Sequence, residues 1–251
     1  MDRSDPRYHA YVQILKEELI PAMGCTEPIA LAYAGAVARR TLGELPDRVT
    51  VQASGSIIKN VKSVIVPNTD HLKGIDAAVS AGIVAGDPDK KLEVIASVTP
   101  EQIQAMKQFM DEVPIEIEHI DKGCTFDIVV IVHHKDEYAK VRIANYHTNI
   151  VLIEKNGEIL EQAKVSGDSE DGLTDRNLLD MEHIWDFAMT VEIDEVKALL
   201  DQQISCNMTI ADEGLKNDYG ANIGKVLLDM DGNNVRVRAK AMAAAGSDAR
   251  M

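Results

Sequence analysis

Few cysteines, few aromatics, no long apolar run and little positive charge set the first limits on this chain. Cys25, Cys124 and Cys206 are far apart, odd in number and form no CxxC pair. That pattern excludes a disulfide framework, offers no metal-ligand motif and fits a reducing compartment. Aromatics are only 4% while alanine is plentiful, so the core is expected to be aliphatic, with closely approaching helices. No apolar stretch approaches the ~18 residues of a membrane helix. The N-terminal MDRSDPRYHAYV is charged and lacks an apolar signal core. The expected location is cytoplasmic, with no membrane partner. The net charge is −15 and no Lys/Arg run exceeds a pair, which excludes the basic face that a nucleic-acid partner requires.

What is present reads as α+β: a mixed β-sheet with packed helices, then a mainly helical segment. Asp5-Pro6 starts a helix, and Thr26 is expected to cap the next one through IALAYAGAVARR to Gly43. VTVQAS alternates as a strand, and SIIKNVKSVIVP reads as part strand, part loop. GIDAAVSAGIVAG is a small-residue helix. LEVIASV reads as a strand, TPEQIQAMKQFMDE as a helix with a Thr99/Gln102 capping box, and PIEIEHI as a strand. FDIVVIVHH, YAKVRIANY and NIVLIEKNG follow as strands, with a turn at Asn156-Gly157. The Gly/Ser/Asp-rich stretch from 165 to 175 is the expected boundary between an α+β domain (1–165) and a helical segment (176–251).

Cys25, in PAMGCTEPIA, is the sharpest chemical feature. A lone cysteine is more often a small buried hydrophobe than a catalyst. This one precedes a helix N-terminus, where N–H groups and the dipole favour a thiolate and can also hold a carboxylate. That pairing suits chemistry on a small acid, including an amino acid. Lys59 and Asn60 read first as an exposed turn, and Asn68 with Thr69 as a cap for a helix before DHLKGID. His147, alone between two strands, is more often structural than catalytic. His133 and His134 point to opposite faces of a strand and make a poor chelate. Gly220 and Gly224 form no dinucleotide fingerprint and read as close helix packing or a helix break.

GCTEPIALAYAGA, SGSIIKNVKSVIVPNT, IANYHTNIVLIEKNG, DYGANIGK and AKAMAAAGSDARM lie in this order along essentially the whole chain. Together they resemble the L-cysteine desulfidase group, related to the iron–sulfur L-serine dehydratases and their alpha-subunit-like members. The resemblance implies a PLP-independent lyase that turns L-cysteine into pyruvate, sulfide and ammonia, or dehydrates L-serine. It implies a [4Fe-4S] cluster acting as Lewis acid on the leaving group. It makes the GCTEP cysteine, Cys25 here, the base for the Cα proton. Substrate-binding roles fall to Thr26, Glu27, Lys59, Asn60, Asn68, His147 and Asn222. The family's cluster cysteines follow the segment matching AAAGSDARM, whereas this chain stops at Met251. The expectation is an N-terminal part of a longer enzyme, holding no cluster and little activity alone.

Two other readings compete. The chain could be a non-catalytic amino-acid-binding module or subunit that works with a cluster-bearing partner. It could also be a hydrolase using Cys25 with His147 or His119, although no nucleophile signature surrounds Cys25. The small-residue helices leave room for a homo-oligomer.

Overall fold

The computed structural model describes every residue except 23, 122, 164, 166–173, 250 and 251. In chain order its longer elements are α1 (Pro6–Glu18), α2 (Thr26–Leu42), β1 (Arg48–Ser54), α3 (Gly55–Val61), α4 (Gly74–Ala85), α5 (Pro100–Glu112), β2 (Ile115–Ile120), β3 (Asp127–His134), β4 (Glu137–Ala144), β5 (Ile150–Lys155), β6 (Glu158–Gln162), α6 (Met181–Thr190), α7 (Ile193–Lys216), α8 (Ile223–Asp231) and α9 (Val235–Asp248). The architecture is α+β, as the sequence pattern implies. The chain forms two compact units: Ala22–Ser169, and Met1–Pro21 with Glu170–Met251. Unlike the expected division, the first helix groups with the helical segment.

The α+β unit is built on a six-stranded mixed sheet in the order β2-β1-β3-β4-β5-β6. β1 and β2 are parallel and every other neighbouring pair is antiparallel. Alternate residues turn one face inward: Val49, Val51 and Ala53 on β1, and Ala139, Val141 and Ile143 on β4. α2 lies on that face, against β3 and β4, and α4 packs on α2. Pro28 to Ala38 are consequently buried without a break. Gly43 ends α2 at φ 93°, with its N–H on the Arg39 carbonyl, the usual left-handed stop. The capping box of α5 forms as expected, with Pro100 opening the helix.

Several local expectations are corrected. LEVIASV makes no strand; Pro88–Glu93 is a short 3-10 helix, its turn set by Lys91 at φ 48°. SIIKNV is helical in α3. Thr26 is the first helical residue of α2 and Cys25 stands at the N-cap. Asn68 and Thr69 cap no helix. α4 begins only at Gly74, and Thr69 Oγ1 donates to the Val66 carbonyl at 2.7 Å inside a tight loop.

In the helical unit, Phe187 meets Tyr8 and Tyr11 edge-on, with ring centroids 5.5 and 5.4 Å away. Burial pushes the Glu17 carboxyl up, but hydrogen bonds from Arg176, Thr174 and Gln13 outweigh it and hold the group at about 2. Gly224 is a packing glycine, since a Cβ there would lie 2.6 Å from Ala245 Cβ. Gly220, at φ 51°, forms the break before α8.

The tightest helix contact in the α+β unit is between α2 and α4. A Cβ on Gly82 would sit 1.8 Å from the Ala32 carbonyl oxygen, and one on Gly86 2.8 Å from Ala36 Cβ. Gly86 closes α4 against Ala36, and Asp89 just beyond it pairs with Arg40 of α2 at 2.7 Å, so the C-terminal ends of the two helices lie together. Gly82→Ala is expected to destabilise the protein by about 2 kcal/mol or more, because backbone cannot yield as a side chain can. Gly246→Ala in α9, where the nearest atom would be Ile210 Cγ2 at 3.5 Å, is expected to be neutral or slightly stabilising. Urea unfolding of both variants checks the contrast.

Candidate functional site

The strand order brings several loops to one end of the sheet. β1 and β2 are parallel, so both leave the sheet there, after Ser54 and Ile120. Antiparallel β3 enters there at Asp127, β4 leaves after Ala144, and β5 enters at Ile150. This end therefore carries α3, the loop before β3 and the turn at 145–149. α2 starts there too: Asn60 Nδ2 on α3 donates to Glu27 Oε1 at 3.3 Å. With their C-terminal ends together, α2 and α4 both begin toward this end. Among the described residues, the N-cap side chains Cys25 and Lys73 make no capping hydrogen bond. Two helices thus open at one end, each with first-turn N–H groups and the positive pole of its dipole.

Gly24 holds φ at 73°, a left-handed turn that glycine adopts freely, and it delivers Cys25 to the N-cap of α2. Cys25, Thr26 and Glu27 are all half-buried. Thr26 Oγ1 lies 3.4 Å from Glu27 Oε2, a long contact.

His147 reaches the same place from the β4–β5 turn. Asn145, at φ 73°, bends the chain and donates its N–H to the Phe126 carbonyl at 3.0 Å. Asn149 Nδ2 donates to the Ala144 carbonyl at 2.9 Å and ties the far side of the turn. The Phe126 ring meets the imidazole with centroids 4.5 Å apart and planes at 61°. His147 Nε2 is buried and has no hydrogen-bond partner among the described residues. Burial lowers the His147 pKa, and the Glu27 carboxylate only partly offsets this. Burial therefore favours the neutral imidazole.

Of the residues expected at a site, the structure gathers Cys25, Thr26, Glu27, Asn60 and His147. Lys59 lies exposed on α3. Asn68 donates to the Ile95 and Ala96 carbonyls at 3.0 and 3.4 Å, which holds its own loop. Asn222 belongs to the helical unit, where its Oδ1 accepts from Tyr219 N at 3.1 Å. His119, considered as a partner for Cys25, pairs through Nδ1 with Asp121 at 3.0 Å.

Sequence reasoning missed the first turn of α4, Phe126, and the pair Asp127 and Arg142. Asp127 is fully buried and takes two parallel hydrogen bonds from Arg142, at 2.9 and 2.7 Å. The only signal was an acid opening the apolar run DIVVIV and a lone arginine near the end of the next strand.

No family model matches the chain. It is similar to proteins named UPF0597. One, from Desulfitobacterium hafniense (strain Y51), is 55% identical over 100% of this chain. A second, from Lachnoclostridium phytofermentans, is 45% identical over 97%, and a third, from Fusobacterium nucleatum, 44% over 96%. The chain spans 58% of the length of each. These names overturn the expected resemblance, since none of the three speaks of a desulfidase, a serine dehydratase, a lyase or iron–sulfur. The described residues contain no group of three or more His, Cys, Asp or Glu placed to hold a metal ion. No helix among them is long and apolar enough to cross a membrane.

The burial of His147 has a measurable consequence. Among the seven histidines, His147 should titrate below the free imidazole value in a histidine-selective NMR titration. Glu27→Gln should lower it further, because the carboxylate is the group favouring the charged ring. The unfolded chain binds this proton more readily than the folded one. Stability is therefore full above the free imidazole value and falls as pH drops from there toward the folded value. A His147 midpoint at or above that of a free imidazole contradicts the burial argument.

Proposed function

We propose that the α+β unit binds a small α-amino acid at the shared open end of α2 and α4, with Cys25 as general base for its Cα proton. The observation that carries this reading is His147 Nε2, a buried atom with no hydrogen-bond partner among the described residues. Leaving such a group unsatisfied costs about 1–3 kcal/mol, which a polar ligand atom would offset.

The surrounding chemistry matches a zwitterion. First-turn N–H groups of a helix suit its carboxylate. Glu27 suits its ammonium group as a charge-assisted acceptor. A neutral His147 can donate to or accept from a third polar group. Cys25 stands where a helix N-terminus favours the anionic form of a thiol. In the step proposed, the Cα–H bond breaks, the proton passes to Sγ and the electron pair stays on Cα. The reading sets the protein in the cytoplasm, where such a thiol stays reduced.

Calorimetric titration with L-serine, L-cysteine and L-alanine tests the binding. Saturable binding is expected, weakened at least tenfold by Glu27→Gln and by His147→Gln; a loss of that size is about 1.4 kcal/mol. Proton exchange is read separately, as Cα deuterium uptake from D2O, and should vanish in Cys25→Ala. Binding without exchange would leave an amino-acid-binding module, and no binding to any of the three would overturn the reading.

A further inference from the structure

We infer that Arg142, through its buried pair with Asp127, is a positioning residue that fixes His147 in the site. The inference rests on the reading of His147 as a site residue. The pair sits where the two strands serving that residue leave the sheet. Asp127 is the first residue of β3 and stands opposite Ala144, the last residue of β4. Phe126, whose ring contacts the imidazole, immediately precedes Asp127. Ala144 immediately precedes the turn that carries His147, and it is bonded to that turn on both sides. Its N–H donates to the Asn149 carbonyl at 3.1 Å, and its carbonyl accepts from Tyr146 N at 3.0 Å. One two-pronged contact between β3 and β4 therefore governs both the ring that packs on His147 and the backbone that presents it.

The chemistry makes the contact stiff. The Asp127 side chain is fully buried and that of Arg142 is 31% exposed. A carboxylate in that position requires the planar guanidinium fork, because the two parallel hydrogen bonds fix an angle as well as a distance. Lysine supplies the charge but not the fork. The same stretch could have been closed by apolar residues, which is often as stable as a buried ion pair. A directional pair at this point fits a need for placement.

Arg142→Lys and Asp127→Asn test the role in the ligand-free protein, with the His147 titration as readout. Each folded variant should show the His147 midpoint moving up toward the free imidazole value, as the ring loses its packed setting. The other six histidines should be unchanged. A cooperatively folded variant with an unshifted His147 would overturn the inference. Loss of the fold in both variants would make the pair a folding determinant and overturn it equally. Because no ligand enters the measurement, a failure here is distinct from a failure of amino-acid binding.

Discussion

The backbone contact between Gly82 and Ala32 is the constraint on which the α+β unit depends. Helices that meet through side chains lie about 8–10 Å apart. Here a glycine lets α4 touch the main chain of α2, and Gly35 in turn admits the Val79 carbonyl, 2.8 Å from where a Cβ would be. Contacts on both helices fix their register as well as their spacing. Gly86 against Ala36 and Asp89 against Arg40 set the two C-terminal ends together, so both N-termini come out toward the same end. An antiparallel pair would have placed the pole of one dipole against the opposite pole of the other.

The sheet supplies the second half of that arrangement. With β1 and β2 parallel and β3, β4 and β5 alternating beside them, one end of the sheet collects three connections. Glu27 and Asn60, dispersed in sequence, meet there, and His147 lies within the electrostatic reach of Glu27. The same end holds a group left without a hydrogen bond among the described residues and, close by in the chain, the two-pronged Asp127–Arg142 contact. The stiff Asp127–Arg142 pair and the unsatisfied His147 are complementary, since an open bonding site is useful only if its position is held.

Local chemistry made much of the fold legible. The Thr99 capping box, the apolar run of β3, the alternation in β4 and the Asn156-Gly157 turn all follow from short-range rules. LEVIASV failed as a strand because its apolar run packs as a turn and a short helix beneath the core; Leu92, Val94 and Ile95 are buried without pairing in the sheet. Cys25 was correctly placed at a helix start, one residue from the cap as first read. The meeting of Glu27, Asn60 and His147 follows from strand order and helix direction, which spacing along the chain does not reveal. Asn68 shows the converse: its polar side chain holds a loop whose left-handed residues, Asn68, Asp70 and His71, carry no sequence periodicity. The resemblance to cysteine desulfidases rested on short motifs, and the names of relatives matched over the whole chain do not support it.

The most direct test of the account is a crystal structure of the chain grown with a three-carbon L-amino acid. The carboxylate is expected about 3 Å from first-turn N–H groups of α2 or α4, the ammonium on Glu27, and His147 Nε2 within hydrogen-bond reach of the ligand. A ligand bound elsewhere in the α+β unit, with His147 Nε2 still unpartnered, would contradict it.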